Sequence, residues 1–320
     1  MRKQPVIGSA GELLVEFVAG DRNGHHRRTS TYAGPFPSGA PGIFIDQAAK
    51  LGARARFAGA VGDDAFGAVI LDRFRRDGVA TDLVRPVPGI PTGSAFVSYN
   101  DDGSRDFVFN IAYSAAAHID PAPELARALL AQDLDVFHIS GSSLGDPKMA
   151  ATLLDLAKLL HTDGVALSFD PNVRKELIGD PVYRRTVDAL VHISHYFLPS
   201  EEDAEALFPG EGIDAIAARL FAAGGEFVVL KRGDRGARAL SRAGANADLP
   251  AFPVTVADPT GAGDCFCATL VTLLAMGDLP FPAALRHANA AGALAVGRIG
   301  PMEGNSTFAE IAAFLKERTP

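Results

Sequence analysis

The sequence predicts an α/β protein in which helices cover a mostly parallel sheet, with a small antiparallel sheet projecting from this core. Between residues 135 and 233, short apolar runs that end in turn residues alternate with segments of helical periodicity; the apolar runs are DVFHISG, VALSFDPN, HYFLPSEE and EFVVLKRG. This alternation is typical of βα units. In the stretch SAFVSYNDDGSRDFVFN, two alternating segments flank Asp102-Gly103, a dipeptide suited to a tight hairpin.

Length and composition are those of an enzyme-sized globular protein. The chain has 320 residues and is 48% hydrophobic, which is too apolar for a disordered polypeptide. No repeat or low-complexity tract interrupts the alternation of strands and helices. We therefore expect one domain over residues 1–320, with lid strands contributed by about residues 11–36 and 92–112.

Charge and hydropathy argue against two classes of partner. The net charge is −8 and no basic run exceeds two residues, so we expect no nucleic acid as a partner. No uncharged apolar stretch approaches the ~20 residues of a membrane-spanning helix. Glu12 and Glu16 interrupt the apolar N-terminal segment, which is not the pattern of a signal peptide. We expect no membrane partner and a cytoplasmic protein.

The stretches GELLVEF and RDFVF would form the small projecting sheet. Their period-two alternation places Glu12 and Glu16 on one face of the first strand, and Arg105 and Phe109 on one face of the second. A projecting sheet of this kind has room to act as a lid. Its uncovered edge could also pair with a second copy of the chain to form a homodimer.

Two features near the C-terminus are expected to be structural. Cys265 and Cys267 lie two residues apart inside a predicted helix, a spacing that suits neither a zinc site nor a disulfide framework, so we expect both to be buried. Thr307 and Glu310 have the spacing of a capping box before an apolar run, which predicts a closing helix.

The stretch ADPTGAGDCFCATLVTLLAMG, residues 257–277, has the strongest chemical signal. Pro259 fixes one backbone torsion, while Gly261 and Gly263 permit a tight turn and a close approach to the backbone. The apolar run that follows predicts a helix. The N–H groups of Gly261, Ala262 and Gly263 would then lie unpaired at the positive end of that helix. The pattern therefore predicts an anion hole.

Asp264 has two interpretations. An acid in the first helical turn is favoured by the helix dipole, so Asp264 could be an N-terminal capping carboxylate. Alternatively, the anion hole holds a phosphoryl group during transfer, and Asp264 accepts a proton from the attacking hydroxyl. Both requirements of phosphoryl transfer would then be met within four residues.

The stretch DPTGAGDCF resembles the C-terminal signature of the ribokinase (PfkB) family of carbohydrate kinases. From about residue 11 to residue 300, further stretches follow the order and approximate spacing of that family: GARARFAG, FAGAVGDDAFG, SFDPNVR, VVLKRGDRGA and HANAAGALAV. A GAGD motif alone would be weak support, whereas the ordered set is strong. The resemblance implies a ribokinase-like three-layer core with a β lid, ATP as the donor, Mg²⁺, and phosphorylation of a primary hydroxyl of a sugar.

The resemblance also implies roles for individual residues. Asp264 would be the base, and the amides of residues 261–263 would form the anion hole. Asp258 and Thr260 match positions that bind a monovalent cation such as K⁺ in some members. The residues expected to contact the nucleotide are Lys231, Gly233 and Gly236 beside the phosphates, Ser200, and Asn289 in the stretch that lines the adenine pocket.

Two signatures depart from the family pattern. Most members carry Asn-x-x-Glu where this chain has Ser200 and Asp203. Because Mg²⁺ keeps several waters and needs only one or two carboxylates, Glu202 or Asp203 could still organise its hydration shell.

The second departure concerns the sugar. GPFPSGAPGIFIDQ places Ser38-Gly39 at the Gly-Gly pair of the family, and Ile43 at an Asn that contacts sugar hydroxyls. Asp46, one helical turn later, could replace that contact. This variant looks most like that of bacterial ketohexose kinases of the tagatose type. We therefore expect a ketohexose, either tagatose or fructose, with Gly39 and Asp46 near it.

Four further polar residues are candidates for the site. Glu16 stands where the family commonly has an Asp that accepts hydrogen bonds from sugar hydroxyls. Arg105 could contact the sugar, or it could be an edge-strand charge that limits aggregation. Asp170 follows a predicted strand, at the edge where α/β proteins bind ligands, although turn chemistry alone could explain it. Arg174 is expected to be solvated unless phosphates reach it.

Other functions stay open at this point. A 2-keto-3-deoxygluconate kinase would need a cation facing the carboxylate of its substrate, and Arg105 or Arg174 could supply it. A nucleoside kinase and a catalytically silent sugar or nucleotide sensor are further alternatives. A dinucleotide-dependent dehydrogenase fits poorly, since no G-x-G-x-x-G follows the first strand.

Overall fold

The structure, a computed structural model, describes residues 4–102 and 104–318. The strands in these residues are β1 (Val6–Ala10), β2 (Leu14–Ala19), β3 (Tyr32–Ser38), β4 (Arg54–Gly62), β5 (Ala80–Val87), β6 (Gly93–Tyr99), β7 (Arg105–Asn110), β8 (Val136–Ser140), β9 (Ala166–Asp170), β10 (Tyr196–Phe197), β11 (Phe227–Lys231), β12 (Ala237–Ser241) and β13 (Asn246–Leu249). The helices are α1 (Ala40–Lys50), α2 (Ala65–Asp77), α3 (Ala122–Leu130), α4 (Pro147–Thr162), α5 (Pro181–Ile193), α6 (Glu201–Leu207), α7 (Ile213–Ala222), α8 (Ala262–Met276), α9 (Phe281–Ala295) and α10 (Phe308–Glu317).

A nine-stranded sheet forms the centre of the molecule. Its strand order is β13-β12-β11-β10-β9-β8-β1-β4-β5. The strands from β11 to β5 run parallel, and β12 and β13 are added antiparallel at one edge. The four apolar runs that predicted strands are β8, β9, β10 and β11, and they lie side by side. The alternation of strands and helices thus predicted the parallel core correctly.

Helices cover both faces of this sheet. Phe137 and Phe169 pack with apolar residues of α3 to α7 on one face, whereas Ile7 and Phe57 pack with α1, α2, α8 and α9 on the other. All four side chains are 0% exposed, and burying each contributes about 1.5–3 kcal/mol. A parallel sheet needs this double cover because its crossover helices lie on its faces. The predicted three-layer α/β core is confirmed.

Several local predictions at the C-terminal end are also confirmed. Thr307 and Glu310 form a reciprocal capping box at the start of α10. Cys265 and Cys267 are both buried as free thiols.

Within residues 4–102 and 104–318, no helix is long and apolar enough to cross a membrane.

The small sheet lies beside the core, with strand order β3-β2-β6-β7. Its outer pairs are antiparallel, as expected, whereas the central pair β2–β6 is parallel. The core strands β4 and β5 lie between β2 and β6 in the chain. The turn predicted at Asp102-Gly103 includes Gly103, which lies outside the described residues. The outer strands are β3 and β7, and pairing of a second copy at their edges stays a prediction.

Candidate active site

A cavity of about 680 Å³ lies between the carboxyl ends of the central strands, the small sheet and the start of α8. Ligands of open α/β sheets bind at this end of the strands. The predicted site residues that line it are Glu16, Gly39, Arg105, Asp170, Ser200, Glu202, Asp203, Lys231, Gly233, Thr260, Gly261, Gly263 and Asp264. Five other predicted residues do not line it: Asp46, Gly236, Asp258, Ala262 and Asn289.

The start of α8 has the geometry predicted for an anion hole. Gly261 is the N-cap residue with φ of 82°, and a Cβ added there would lie 2.4 Å from the carbonyl oxygen of Pro301. The first backbone bond of the helix joins the Cys265 N–H to the Gly261 carbonyl at 2.9 Å. The amides of residues 261–264 precede that bond, and the N-cap residue Gly261 has no side chain that could cap them. They provide N–H donors at the positive end of a helix dipole.

Asp264 lies in the first turn of α8, where it lines the cavity. Burial raises the pKa of its carboxyl to about 8, and the negative charge of Asp170 adds to this effect while Lys231 opposes it. A group with a pKa in this range can accept a proton near neutral pH and release it again. This property suits a general base.

An ion pair lies at the floor of the cavity, next to Asp264. The Lys231 ammonium at the end of β11 donates to the Asp170 carboxylate at the end of β9, and the Cys267 thiol lies 3.4 Å from the same carboxylate. Burial alone would lower the pKa of Lys231, but Asp170 raises it, so the ammonium stays charged. A Cβ added to Gly263 would lie 3.7 Å from the Lys231 Nζ. The cavity therefore has an ammonium group, paired with a carboxylate, beside the helix start.

Glu16 lies on the lid strand β2 and is only 3% exposed. One carboxylate oxygen accepts a hydrogen bond from Ser38 Oγ at 3.3 Å, while the other, Oε1, has no hydrogen-bond partner in the described part of the chain. Burial and the nearby Asp258 raise the pKa of Glu16 to about 7. A buried acceptor without a partner is costly, so this oxygen is suited to receive a hydroxyl from a ligand.

Glu12 lines the same cavity, although the sequence did not single it out as a site residue. Its carboxylate accepts hydrogen bonds from Ser142 Oγ, at 2.7 Å, and from Ser143 Oγ. Burial raises the pKa of Glu12 despite these bonds. The period-two pattern that placed Glu12 on the same face as Glu16 was the signal that could have identified it.

Two arginines lie on the lid side of the cavity. The Arg105 guanidinium lies 5.4 Å from the ring centroid of Phe107 and donates to Thr260 Oγ1 at 3.3 Å. The Arg174 guanidinium lies 5.5 Å from the ring centroid of Phe109. Cation–π contacts of this kind hold the guanidinium groups against aromatic faces. Both arginines line the cavity. Arg105 is also exposed on the outer strand β7, so its edge-strand role stays open.

Asp46 does not line the cavity, contrary to the prediction from the sequence. Ile43 lines the cavity, but Asp46, three residues later on α1, is 0% exposed and points elsewhere. Its carboxylate accepts a hydrogen bond from Asn305 Nδ2 at 2.6 Å and lies 3.4 Å from Arg73 Nε. Asp46 thus joins helix α1 to α2 and to the C-terminal loop, and it does not replace the missing Asn as a sugar contact.

Asn289 and Gly236 also lie outside the cavity. The Asn289 amide donates to the carbonyl oxygens of Leu249 and Pro250, at 3.4 and 3.1 Å. Gly236 has φ of 87°, and a Cβ there would lie 2.1 Å from the carbonyl oxygen of Leu249. Asn289 thus holds the backbone that leaves β13, and Gly236 lets that backbone pass close to it.

The carboxylates suggested for Mg²⁺ differ in their surroundings. Asp203 forms a capping box with Ser200 at the start of α6, and its second oxygen accepts the Val173 N–H at 2.8 Å. Both oxygens of Asp203 are therefore used by the protein. Glu202 lines the cavity next to it. Among the described residues no group of three His, Cys, Asp or Glu side chains could hold a metal ion, so a Mg²⁺ ion here would depend on water and phosphate ligands.

Comparison with known proteins identifies the family. The profile of the pfkB family carbohydrate kinases matches residues 3–307. The chain belongs to the PfkB family of carbohydrate kinases. It is therefore an enzyme that transfers a phosphoryl group to an alcohol group of a carbohydrate, and the resemblance seen in DPTGAGDCF and its companion stretches is confirmed.

Individual relatives agree with this membership. The ribokinase of Bacillus subtilis is 30% identical over 321 residues, which cover 98% of this chain and 100% of that protein. The probable fructokinase-5 of Arabidopsis thaliana is 29% identical over 332 residues, covering 100% of both. A candidate ribokinase II of Escherichia coli, solved in complex with ATP and Mg²⁺, is 36% identical with a TM-score of 0.90, covering 98% of this PfkB kinase and 100% of that chain.

Proposed function

We propose that this PfkB kinase transfers the γ-phosphoryl group of ATP to a primary hydroxyl of a ketohexose, either tagatose or fructose. The observation that supports this proposal most is the pairing of Asp264 with the uncapped amides of α8 in one cavity. Fructokinases among the relatives agree with a ketohexose. A donor of ATP with Mg²⁺ agrees with the complex of the Escherichia coli relative.

In the proposed reaction Asp264 accepts the proton of the attacking hydroxyl. The amides of residues 261–263 stabilise the negative charge on the migrating phosphoryl group, and Lys231 adds a positive charge at the floor of the cavity. Glu16 accepts a hydrogen bond from another sugar hydroxyl through its unpartnered Oε1. The reaction thus needs one proton acceptor, one anion site and one hydroxyl acceptor, and this chain supplies all three.

Ions and the nucleotide complete the proposed site. Glu202 is the carboxylate that would hold Mg²⁺ through its hydration shell, and the ion would offset charge between the phosphates. Lys231, Gly233 and Ser200 line the cavity where the phosphates would lie. Closing of the lid over the sugar would exclude water, which is the competing phosphoryl acceptor.

A substrate panel tests the proposed acceptor. Release of ADP is measured with tagatose, fructose, ribose, adenosine and 2-keto-3-deoxygluconate at equal concentrations. The proposal expects the highest kcat/KM with tagatose or fructose. A higher kcat/KM with ribose or adenosine would contradict the ketohexose assignment. If no acceptor in the panel supports release of ADP, the proposed reaction is wrong.

One observation favours a second candidate, a kinase for sugar acids. Arg105 and Arg174 both line the cavity, and each is held against an aromatic ring of β7. Guanidinium groups bind carboxylates by paired hydrogen bonds. If the acid is the substrate, 2-keto-3-deoxygluconate gives the highest kcat/KM in the panel, and Arg174→Gln lowers that value more than it lowers the value for fructose.

A further inference from the structure

The buried carboxylate of Asp258 joins three segments around the anion hole. Asp258 is 0% exposed and lies in the loop before α8. Its Oδ1 accepts the Thr260 N–H at 2.8 Å and the hydroxyl proton of Tyr99, and its Oδ2 accepts the Gly300 N–H at 3.0 Å. The three donors come from the same loop, from the lid strand β6 and from the C-terminal loop. The Asp258 carboxylate is therefore hydrogen-bonded from three sides.

This arrangement bears on the monovalent cation that the family resemblance implied at Asp258 and Thr260. A carboxylate has about four lone-pair positions for partners, and three of those on Asp258 already receive N–H or O–H protons. These protons carry positive partial charge directed at the carboxylate, so a cation placed beside them would be repelled. The donor set at Asp258 therefore does not fit a cation well.

Tyr99 is the donor that distinguishes this site. It is the last residue of β6 and is paired with Arg105 of β7, whose guanidinium donates to Thr260 Oγ1 at 3.3 Å. The Tyr99 hydroxyl lies 3.4 Å from the same Thr260 Oγ1. A tyrosine hydroxyl has one proton to donate, and here Asp258 Oδ1 receives it. The end of the lid hairpin is thus bonded directly to the loop that leads into the anion hole.

We propose that the Tyr99 hydroxyl takes the place of a monovalent cation at Asp258 and positions the loop before α8, so that phosphoryl transfer by this chain does not require K⁺. Tyr99 acts through Asp258 and Thr260 and is a positioning residue. The kinetic part of this inference rests on the proposed kinase function, whereas the structural part does not. Removing the hydroxyl leaves Asp258 with one donor fewer and opens a place where a cation can bind.

The first test uses thermal unfolding of the chain without substrates. The unfolding midpoint of the wild type is compared in about 100 mM KCl and in choline chloride of equal ionic strength, since a ligand that binds only the folded state raises the midpoint. The wild type should show no difference. Tyr99→Phe should unfold at least about 2 °C higher in KCl than in choline chloride. This readout is independent of whether a sugar is phosphorylated.

The second test uses turnover in the same two salts. The wild type should be equally active in both, whereas Tyr99→Phe should lose about tenfold in kcat in choline chloride and recover in KCl. Tyr32→Phe is the matched control, because Tyr32 is also a lid tyrosine, its hydroxyl contacts His26, and it does not line the cavity. A wild type that responds to KCl in either test, or a Tyr99→Phe variant that gains no response, would overturn the proposal.

Discussion

The raised pKa of Asp264 should determine how kcat/KM for the sugar depends on pH. A general base acts in its ionised form, and the Asp264 carboxyl has a pKa of about 8. The kcat/KM for the sugar should therefore rise with pH through about 8, because this ratio reports ionisation of the free enzyme. Since the charge of Asp170 raises the pKa of Asp264, Asp170→Asn should move this rise to lower pH.

The pH profile has a simple control on α2. Asp72 is exposed and pairs with Arg75 outside the cavity, so Asp72→Asn should leave the profile unchanged. An unchanged profile in Asp170→Asn as well would show that the rise does not come from Asp264.

The buried carboxylate of Glu16 is expected to destabilise the fold when it is ionised, although it is proposed to bind the sugar. In the unfolded chain its carboxyl ionises near 4.5, but in the folded protein its pKa is about 7. The ionised carboxylate therefore lowers the free energy of unfolding increasingly from about pH 4.5 to pH 7, and fully above pH 7. At pH 8, Glu16→Gln should raise the free energy of unfolding by on the order of 2–3 kcal/mol relative to the wild type, and the thermal midpoint should rise with it. At pH 4 the substitution should change both quantities little.

A matched control for this measurement is Glu317→Gln, because the Glu317 side chain is 75% exposed. It should show the same small effect at both pH values. If Glu16→Gln had no larger effect at pH 8 than at pH 4, burial of an ionised Glu16 would not be costly. Sugar phosphorylation by Glu16→Gln should be reduced, since the amide cannot accept a hydroxyl at both positions.

Single residues also show the limit of reading the site from sequence. Asp264 and Gly261 could be predicted, because the turn and the helix start that position them are local. Asp46 could not, since its partner Asn305 lies 259 positions away in the chain. Glu12 shares a face with Glu16 in the period-two pattern, but its contact with Ser142 spans 130 positions and was equally invisible in the sequence. Whether an acid faces a ligand or a buried partner depends on such distant packing.

Among the helices and strands, the start of α8 can be tested by substituting its two glycines. Gly263→Ala should fold normally, since the added Cβ meets nothing closer than Lys231 Nζ at 3.7 Å and alanine favours the helix by up to about 1 kcal/mol. The methyl group would stand beside the amides that we propose bind the phosphoryl group. We therefore expect kcat/KM for ATP to fall at least about tenfold.

Gly261→Ala is the contrasting variant. With φ of 82° and an added Cβ only 2.4 Å from the Pro301 carbonyl oxygen, it should lose stability as well as activity. A Gly263→Ala variant with the kcat/KM of the wild type would show that the phosphoryl group does not approach this helix start.

The elements themselves were predictable to different degrees. The strands β8 to β11 follow from apolar runs with turn residues at their ends, and α10 from its capping box. The parallel pairing of β2 with β6 could not be predicted, because two core strands intervene in the chain. Asp203 has the same spacing from Ser200 as Glu310 has from Thr307, so its use as a cap could have been predicted, but the family pattern favoured a metal role.

At the scale of the whole molecule, the topology brings distant segments to one cavity. Strands β9 and β11 supply Asp170 and Lys231 from the centre of the large sheet, the lid strand β2 supplies Glu16, and α8 supplies Asp264. The sequence predicted both sheets, and the cavity lies at the sheet edge where the sequence analysis expected a ligand. It could not predict how closely the lid contacts the core, which depends on the Tyr99 bond to Asp258.

The role of Asp264 as the general base is tested most directly by the turnover of Asp264→Asn with ATP and the preferred sugar of the panel. The substitution keeps the size of the side chain and removes the proton acceptor. We predict that kcat falls by about 10²–10⁴, the range typical for loss of a general base, while the unfolding midpoint and the affinity for ATP stay close to those of the wild type. A kcat near that of the wild type would contradict the assignment of Asp264 as the base of this kinase.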